Sequence, residues 1–105
     1  MATEARSQTG KRIDVRVLTT QGLAVSDEAV SVRVPGKVGS FGVLHNHAPL
    51  VSTLSPGVLR WRHADGTERF FAIGEGIAEV AHNKVTVLTS AVREVASPPP
   101  SAAHV

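Results

Sequence analysis

The chain has 105 residues, a length that fits one domain burying about 60 to 70% of the surface its unfolded form exposes. It contains no cysteine, so disulfide frameworks, thiolate nucleophiles and cysteine zinc sites are excluded, and packing must supply the stability. Residues 13–95 carry eight Lys or Arg and eight Asp or Glu, so the formal charge of +2 belongs to the first dozen residues and nucleic-acid binding is not indicated.

Apolar residues alternate with polar ones at a period of two, which is typical of half-buried strands. Residues 13–17 (IDVRV), 30–34 (VSVRV) and 84–88 (KVTVL) show this alternation. Glycine and proline recur between such segments at short intervals, as in proteins with many short strands and tight turns. No helix is predicted. The sequence therefore predicts an all-β fold, an antiparallel β-sandwich or barrel of about nine or ten short strands.

A β-hairpin is predicted in the second half of the chain. Residues 57–63 run into the turn signal Asp65-Gly66, and residues 67–73 run back from it. Trp61 lies on the first arm and Phe71 follows Phe70 on the second, so one aromatic face is expected to pack in the core or to anchor an interface.

The two ends of the chain differ in composition from the middle. Residues 1–12 are predicted to be a flexible leader, 13–95 the sandwich domain and 96–105 (ASPPPSAAHV) a disordered or polyproline tail. The longest apolar runs fall far short of the ~20 residues of a membrane span, and no secretory signal opens the chain. We therefore expect no direct insertion into a membrane.

Two histidines in residues 39–50 (GSFGVLHNHAPL) raise the question of a metal site. If this segment were a strand, His45 and His47 would face the same side, and a metal-dependent β-barrel enzyme that also uses His63 is one alternative. No acidic residue follows this pair closely, however, and a barrel metal site needs further ligands. The preferred interpretation is a loop in which Asn46 adopts left-handed backbone geometry.

Other chemical motifs are missing. There is no G-x-S-x-G nucleophile elbow and no paired carboxylates, because the acidic residues are scattered singly along predicted strands, where they are expected on solvated faces. Residues 74–76 (GEG) are too short for a phosphate-binding loop and are predicted to form a turn. No catalytic, cofactor-binding or metal-binding residue is therefore assigned. From chemistry alone the chain is a small β-sandwich interaction module, and a generic adaptor remains a second alternative.

An ordered series of short motifs runs through residues 13–92. Its members are Pro35, Gly36, Gly39, Gly42, His47, Ala48, Pro49, Leu50, Pro56, Gly57, Gly76, Glu79 and Asn83. This series resembles the N-terminal β-sandwich of the epsilon subunit of F-type rotary ATP synthases, whose mitochondrial counterpart is called delta. The family has a histidine at the position of His47 and uses it in no catalysis. Glu75 departs from the pattern, since glycine is commoner there.

The resemblance implies a non-catalytic rotor subunit of a proton- or sodium-translocating synthase. Such a subunit docks on the gamma subunit and on the polar loops of the c-ring, and it lies peripherally on the cytoplasmic face of a bacterial membrane. The implied ring-facing loop is 37–47, with Lys37, Ser40 and His47 as its contact residues. No cofactor, nucleotide or nucleic acid is expected.

The resemblance also implies local roles and one departure. Gly39 and Gly42 are expected to let the chain turn tightly, and Pro49 to begin a strand whose Leu50 enters the core. Family members usually continue into a two-helix hairpin that can inhibit ATP hydrolysis and in some members binds ATP. Residues 93–95 and the Pro-rich tail stand in its place here, so we expect the structural role without the regulatory one.

Overall fold

A computed structural model describes residues 11–97 of the protein. Residues 1–10 and 98–105, which make up most of the predicted leader and tail, lie outside the described residues. The described part contains ten strands and no helix that could span a membrane. The strands are β1 (Ile13–Thr19), β2 (Gly22–Ala29), β3 (Ser31–Val34), β4 (Phe41–Val43), β5 (Leu50–Leu54), β6 (Gly57–Arg62), β7 (Glu68–Ile73), β8 (Gly76–Ala81), β9 (Lys84–Thr89) and β10 (Val92–Val95).

The strands form two five-stranded sheets that pack face to face. Sheet A has the order β2-β1-β9-β8-β5, and sheet B has the order β10-β7-β6-β3-β4. The predicted β-sandwich is thus confirmed. Neighbouring strands are antiparallel except for β1 and β9, which run parallel with Val15 opposite Val85 and Val17 opposite Val87. Alternation shows which side chains point inward, but it carries no information about strand direction.

The core lies between the two sheets and is built from the inward-facing positions of the alternating segments. The buried rings of Trp61 and Phe71 stack within it with centroids 4.7 Å apart, so of the two roles predicted for the aromatic face of the hairpin, core or interface anchor, these rings have the first. The buried apolar side chains are those of Ile13, Val15, Val17, Ala29, Val32, Val34, Val43, Leu54, Leu59, Trp61, Phe71, Ile73, Ala78, Val80, Val85 and Val87.

The predicted hairpin is formed by β6 and β7. Its turn has Gly66 at φ 93°, a backbone conformation that glycine adopts without steric cost. The Asp65 carboxylate accepts hydrogen bonds from the Thr67 backbone N–H at 2.9 Å and from the Thr67 hydroxyl at 2.7 Å. These bonds lower the pKa of Asp65 below its usual range and hold the turn closed.

Residues on the two sides of β4 lie at opposite ends of the sandwich. At one end, here called the Lys37 end, the Lys37 N–H donates to the Thr53 carbonyl at 2.9 Å, and residues 35–40 lie beside the β5–β6 turn. At the other end, here called the Asn83 end, the Asn46 N–H donates to the Asn83 side-chain oxygen at 2.6 Å. The segment 37–47 is therefore two separate loops joined by a strand.

Two predicted local roles have different outcomes. Leu50 is the first residue of β5 and packs against the core, as predicted. Gly39 has φ 151° and belongs to the loop before β4, whereas Gly42 lies inside β4, opposite Arg33. The turn predicted at Gly42 is therefore wrong, because the strand register leaves this glycine on an open outer face.

Candidate functional site

A polar cluster joins the two sheets along one side of the core. The Asp27 carboxylate, from β2 of sheet A, accepts hydrogen bonds from the Trp61 ring N–H at 2.8 Å and from His63 Nε2 at 2.7 Å. It also pairs with an Arg69 nitrogen at 3.1 Å. Trp61 lies in β6, His63 follows it and Arg69 lies in β7, so all three donors come from the sheet B hairpin. The Asp27 side chain, 21% exposed, is a bridge between the sheets.

Arg69 extends this cluster to the edge of sheet B. Its guanidinium makes two hydrogen bonds of 2.9 Å to the Glu94 carboxylate, a bidentate pair. The same group lies 5.0 Å from the centre of the Phe71 ring and 5.9 Å from that of Trp61. Cation–π contact and ion pairing therefore hold Arg69 over the aromatic core.

The electrostatics of the cluster favour charged side chains. Burial raises the pKa of Asp27, but hydrogen bonds from His63, Trp61, the Glu28 backbone N–H and Arg69 outweigh it and hold that pKa well below its usual range. Hydrogen bonds to Glu94 and Asp27 raise the pKa of Arg69 despite its partial burial. The cluster is a satisfied network, so its arrangement supports the sandwich rather than bond-making chemistry.

The sequence carried one signal for this cluster. In β2 the inward-facing positions are Val25, Asp27 and Ala29, so a carboxylate interrupts an apolar series. An acid at such a position needs partners in the facing sheet. The expectation that all acidic residues lie singly on solvated faces is wrong at Asp27.

The three histidines of the metal alternative are engaged separately. His63 uses Nε2 for Asp27 and places Nδ1 2.9 Å from the Thr67 hydroxyl. Nδ1 of His47 donates to the Ala48 carbonyl at 2.7 Å. His45 borders a different recess, beside Asn46. The φ of Asn46, 68°, confirms the predicted left-handed backbone geometry. Within residues 11–97 no group of three or more His, Asp or Glu could hold a metal ion.

An apolar row crosses the outer face of sheet A. Leu18 lies opposite Leu23 in β2 and opposite Leu88 in β9, and Leu88 lies opposite Ile77 in β8. Leu23, Leu88 and Ile77 are 56%, 51% and 46% exposed. Large apolar residues aligned on four neighbouring strands form a continuous patch, and such patches mark protein interfaces. These four residues are called the apolar row below.

The apolar row adjoins the Lys37 end of the sandwich. A shallow recess between them is bordered by Lys37, Thr53, Gly76, Ile77 and Ser90. Next to Lys37 in the chain, the Val38 side chain is fully exposed. The outer face of sheet A and the loop 37–40 therefore form one connected surface.

The structure separates the three predicted ring contacts. Lys37 and Ser40 are exposed at the Lys37 end. His47 is half-buried at the Asn83 end, where its N–H donates to the Leu44 carbonyl at 3.0 Å. A single flat partner surface can contact Lys37 and Ser40 together, but it cannot also contact His47.

Comparison with known proteins identifies the family. Residues 12–95 match the model of the β-sandwich domain of the ATP synthase delta/epsilon chain. The chain belongs to this family. Among curated relatives, the ATP synthase epsilon chain of Campylobacter fetus is 42% identical over 84 residues, covering 80% of this chain and 65% of the relative. That of Desulfosudis oleivorans is 37% identical over 78 residues, covering 74% of this chain and 59% of the relative. The chain thus spans between about half and two thirds of the curated relatives it matches.

Two solved structures share the delta/epsilon fold. A chain in the mitochondrial ATP synthase of Euglena gracilis, a structure of OSCP, F1 and c-ring, has a TM-score of 0.73 and 21% identity, covering 79% of this chain and 53% of that one. A chain in the central stalk and c-ring structure of the Tetrahymena thermophila mitochondrial ATP synthase has a TM-score of 0.63 and 14% identity, covering 77% and 65%.

The residues that resemble the delta/epsilon family serve the turns and close approaches of the sandwich. A methyl group added at Gly36 would lie 2.7 Å from the Gly39 carbonyl oxygen, and one at Gly57 would lie 3.1 Å from Pro35. Asn83 has φ 59° in the β8–β9 turn while its side chain accepts from the Asn46 backbone. These motif residues shape the scaffold that presents the surface.

Proposed function

We propose that this protein is a non-catalytic rotor subunit in the central stalk of an F-type ATP synthase. It docks on the gamma subunit and on the polar loops of the c-ring, so that torque from ion flow reaches the catalytic head. The single observation that carries the proposal is that the apolar row and the exposed Lys37 end adjoin. A rotor subunit held between two partners needs two such contiguous surfaces.

The apolar row is the surface assigned to gamma. Its four side chains lie on the outer face of a sheet whose inner face is packed in the core, so docking requires little rearrangement. Burying these side chains against a partner removes apolar area from water, which is the main favourable term in most protein association. Arg16 and Glu79, exposed on the same face two residues from Leu18 and Ile77, supply charged groups for the polar rim that interfaces usually have.

The Lys37 end is the surface assigned to the c-ring. Lys37, Val38 and Ser40 are all exposed there, and the loop that holds them is fixed to the β5 end by backbone hydrogen bonds. A loop anchored in this way transmits force better than a free one. His47 lies at the other end of β4, so the ring contact proposed here rests on Lys37 and Ser40.

The relatives support a bacterial setting. Curated proteins that match include the epsilon chain of Campylobacter fetus. We place the protein peripherally on the cytoplasmic face of a bacterial membrane, in a synthase driven by protons or sodium ions. It carries no cofactor and binds no nucleotide in this role.

Binding to gamma tests the proposal directly. Changing Leu88 to Asp is expected to weaken the complex with gamma at least about tenfold, because a charge would be buried in an apolar contact. Leu44→Asp is the matched control, since Leu44 is also an exposed leucine, at 63%, but lies near the Asn83 end. The measurement is the amount of gamma that co-purifies with each tagged variant, supported by titration of the isolated subunits.

Both substitutions fall on exposed positions, so both variants should keep the thermal unfolding midpoint of the unmodified protein within a few degrees. If the unmodified chain fails to bind gamma at micromolar concentration, the rotor assignment is wrong. Equal loss of gamma by both variants would instead show that the apolar row is not the docking surface.

The ring contact has its own test. Val38→Asp should reduce gradient-driven ATP synthesis by the assembled complex while gamma remains bound, because Val38 lies at the Lys37 end and not in the apolar row. Ala64→Asp, an exposed substitution in the β6–β7 turn at the opposite end, is the control and should leave synthesis unchanged. Synthesis is compared in vesicles containing each complex at equal gamma content, and normal activity of the Val38 variant would exclude this loop as a ring contact.

A further inference from the structure

The outer face of sheet B is strongly positive although the domain as a whole is balanced. The charged side chains on its outward-facing positions are those of Arg33, Arg60, Arg62, Arg93 and Glu68. Residues 13–95 contain equal numbers of acidic and basic residues, so these four arginines against one glutamate reflect an uneven distribution. The charge asymmetry is created by the strand register, and it singles out one face.

Two of these arginines lie in an unfavourable position for the free protein. Arg33 in β3 is directly opposite Arg60 in β6, and like charges facing each other across a strand pair are destabilising. Within residues 11–97 neither of them, nor Arg62, has a carboxylate oxygen within 4.0 Å. Glu68 is opposite Arg62 in register but does not pair with it. A local cost that no ion pair offsets is expected at functional sites.

The arginines surround a recess suited to small acidic groups. It has a volume of about 360 Å³ and is bordered by three arginines and one acid, together with Gly42 and Leu44; the charged residues are Arg33, Arg60, Arg62 and Glu68. Gly42 lies opposite Arg33 and has no side chain, so the Arg33 guanidinium extends across it. The volume is at the lower end of small-molecule sites, enough for side-chain carboxylates.

We propose that this recess and the surrounding face bind an extended acidic segment of a partner protein. Guanidinium groups match carboxylates in a planar, bidentate geometry, which explains arginine at all four basic positions. In an extended segment, side chains two residues apart lie about 7 Å apart on one side, a spacing that matches Arg60 and Arg62, which are two residues apart on the same face of β6. Leu44, 63% exposed at the rim, offers an apolar contact beside the charges.

The surroundings favour a protein partner over a membrane or a nucleic acid. Polybasic segments that bind anionic lipids usually carry about four to eight basic residues in a dense cluster, whereas Glu68 interrupts this one. On this face the Phe70 ring is half-buried and lies 6.0 Å from the Arg60 guanidinium, which covers the surface on which a base would stack. The proposal does not depend on docking to gamma, which uses the opposite sheet.

The test uses the full chain and a synthetic peptide of about ten residues in which Glu alternates with Ala and one position is Leu. A peptide with Gln in place of Glu is the probe control. The sheet B variant combines Arg33→Gln with Arg60→Gln. Its control, the sheet A variant, combines Arg16→Gln with Lys84→Gln, at two exposed basic residues on the outer face of sheet A. Both variants therefore lose the same charge. Binding is measured by fluorescence anisotropy at low and physiological salt.

The proposal expects the Glu peptide to bind the unmodified chain and the sheet A variant alike, and to bind the sheet B variant at least about tenfold more weakly. It also expects the sheet B variant to unfold at a higher temperature, because it removes the opposed charges. Equal weakening of both variants, no binding at millimolar peptide, or a lower unfolding temperature for the sheet B variant would overturn it. Tighter arginine-dependent binding to anionic vesicles, inorganic phosphate or an oligonucleotide than to the peptide would also overturn it.

Discussion

Replacing Asp27 with Ala should reduce the free energy of unfolding by about 3 kcal/mol, which is large for a domain of this size. The substitution leaves the Trp61 ring N–H, His63 and one Arg69 nitrogen without their acceptor. A partly buried donor that loses its partner costs more than the average hydrogen bond contributes. It also removes the polar link between β2 of sheet A and the sheet B hairpin, so the two sheets are expected to separate more easily.

The measurement is urea-induced unfolding followed by Trp61 fluorescence, since Trp61 is the one tryptophan of the chain and contacts Asp27 directly. Asp14→Ala is the matched control, because Asp14 is an exposed acid in the neighbouring strand β1, and it should change stability by less than about 0.5 kcal/mol. Equal stability of the Asp27 and Asp14 variants would mean that the cluster contributes nothing to the fold.

The same carboxylate predicts how stability depends on pH. The folded-state pKa of Asp27 lies below its ordinary value of 3.8, so the folded state favours the charged form. Its contribution is fully present above about pH 5 and is lost as pH falls through 3.8 towards the folded-state value. Asp27→Asn should therefore lose less stability than the unmodified protein between pH 5 and pH 3. Parallel stability curves for the two proteins would contradict this.

Replacing Gly76 with Ala should also cost about 3 kcal/mol. A methyl group added at this position would lie 2.0 Å from the Leu88 carbonyl oxygen and 2.9 Å from the Thr89 Cα. Both are backbone atoms of β9, so relief requires moving a central strand of sheet A. Because Leu88 and Ile77 belong to the apolar row, the distortion should also weaken binding to gamma.

Gly42→Ala is the control for this prediction, since Gly42 also lies in a strand but a methyl group there has no neighbour closer than 3.7 Å. Alanine should be neutral or slightly stabilising at this position, because it loses less conformational freedom on folding. The measurement is the thermal unfolding temperature of both variants. A Gly76 variant as stable as the Gly42 variant would show that β9 can shift without loss of stability.

The sandwich could be predicted because its signals are local. The alternation in residues 13–17 and 84–88 states which side chains are buried, and the Asp65-Gly66 turn fixes the hairpin between its flanking strands. The motifs from Pro35 to Asn83 are also local signals, because a turn depends on only a few consecutive residues. They could therefore identify the family from the sequence. Residues 37–47 are two loops and a strand and not the one loop predicted, because three residues are too few for alternation to identify β4 as a strand.

By itself the sequence determined the fold class, the hairpin and the family. Only the tertiary structure decided that β1 and β9 run parallel, that Asp27 bridges the sheets, and that Arg33 and Arg60 oppose each other. It also decided that the apolar row meets the Lys37 end. Each of these pairs residues distant in the chain, and such pairing depends on strand order and register, which neighbouring residues do not specify.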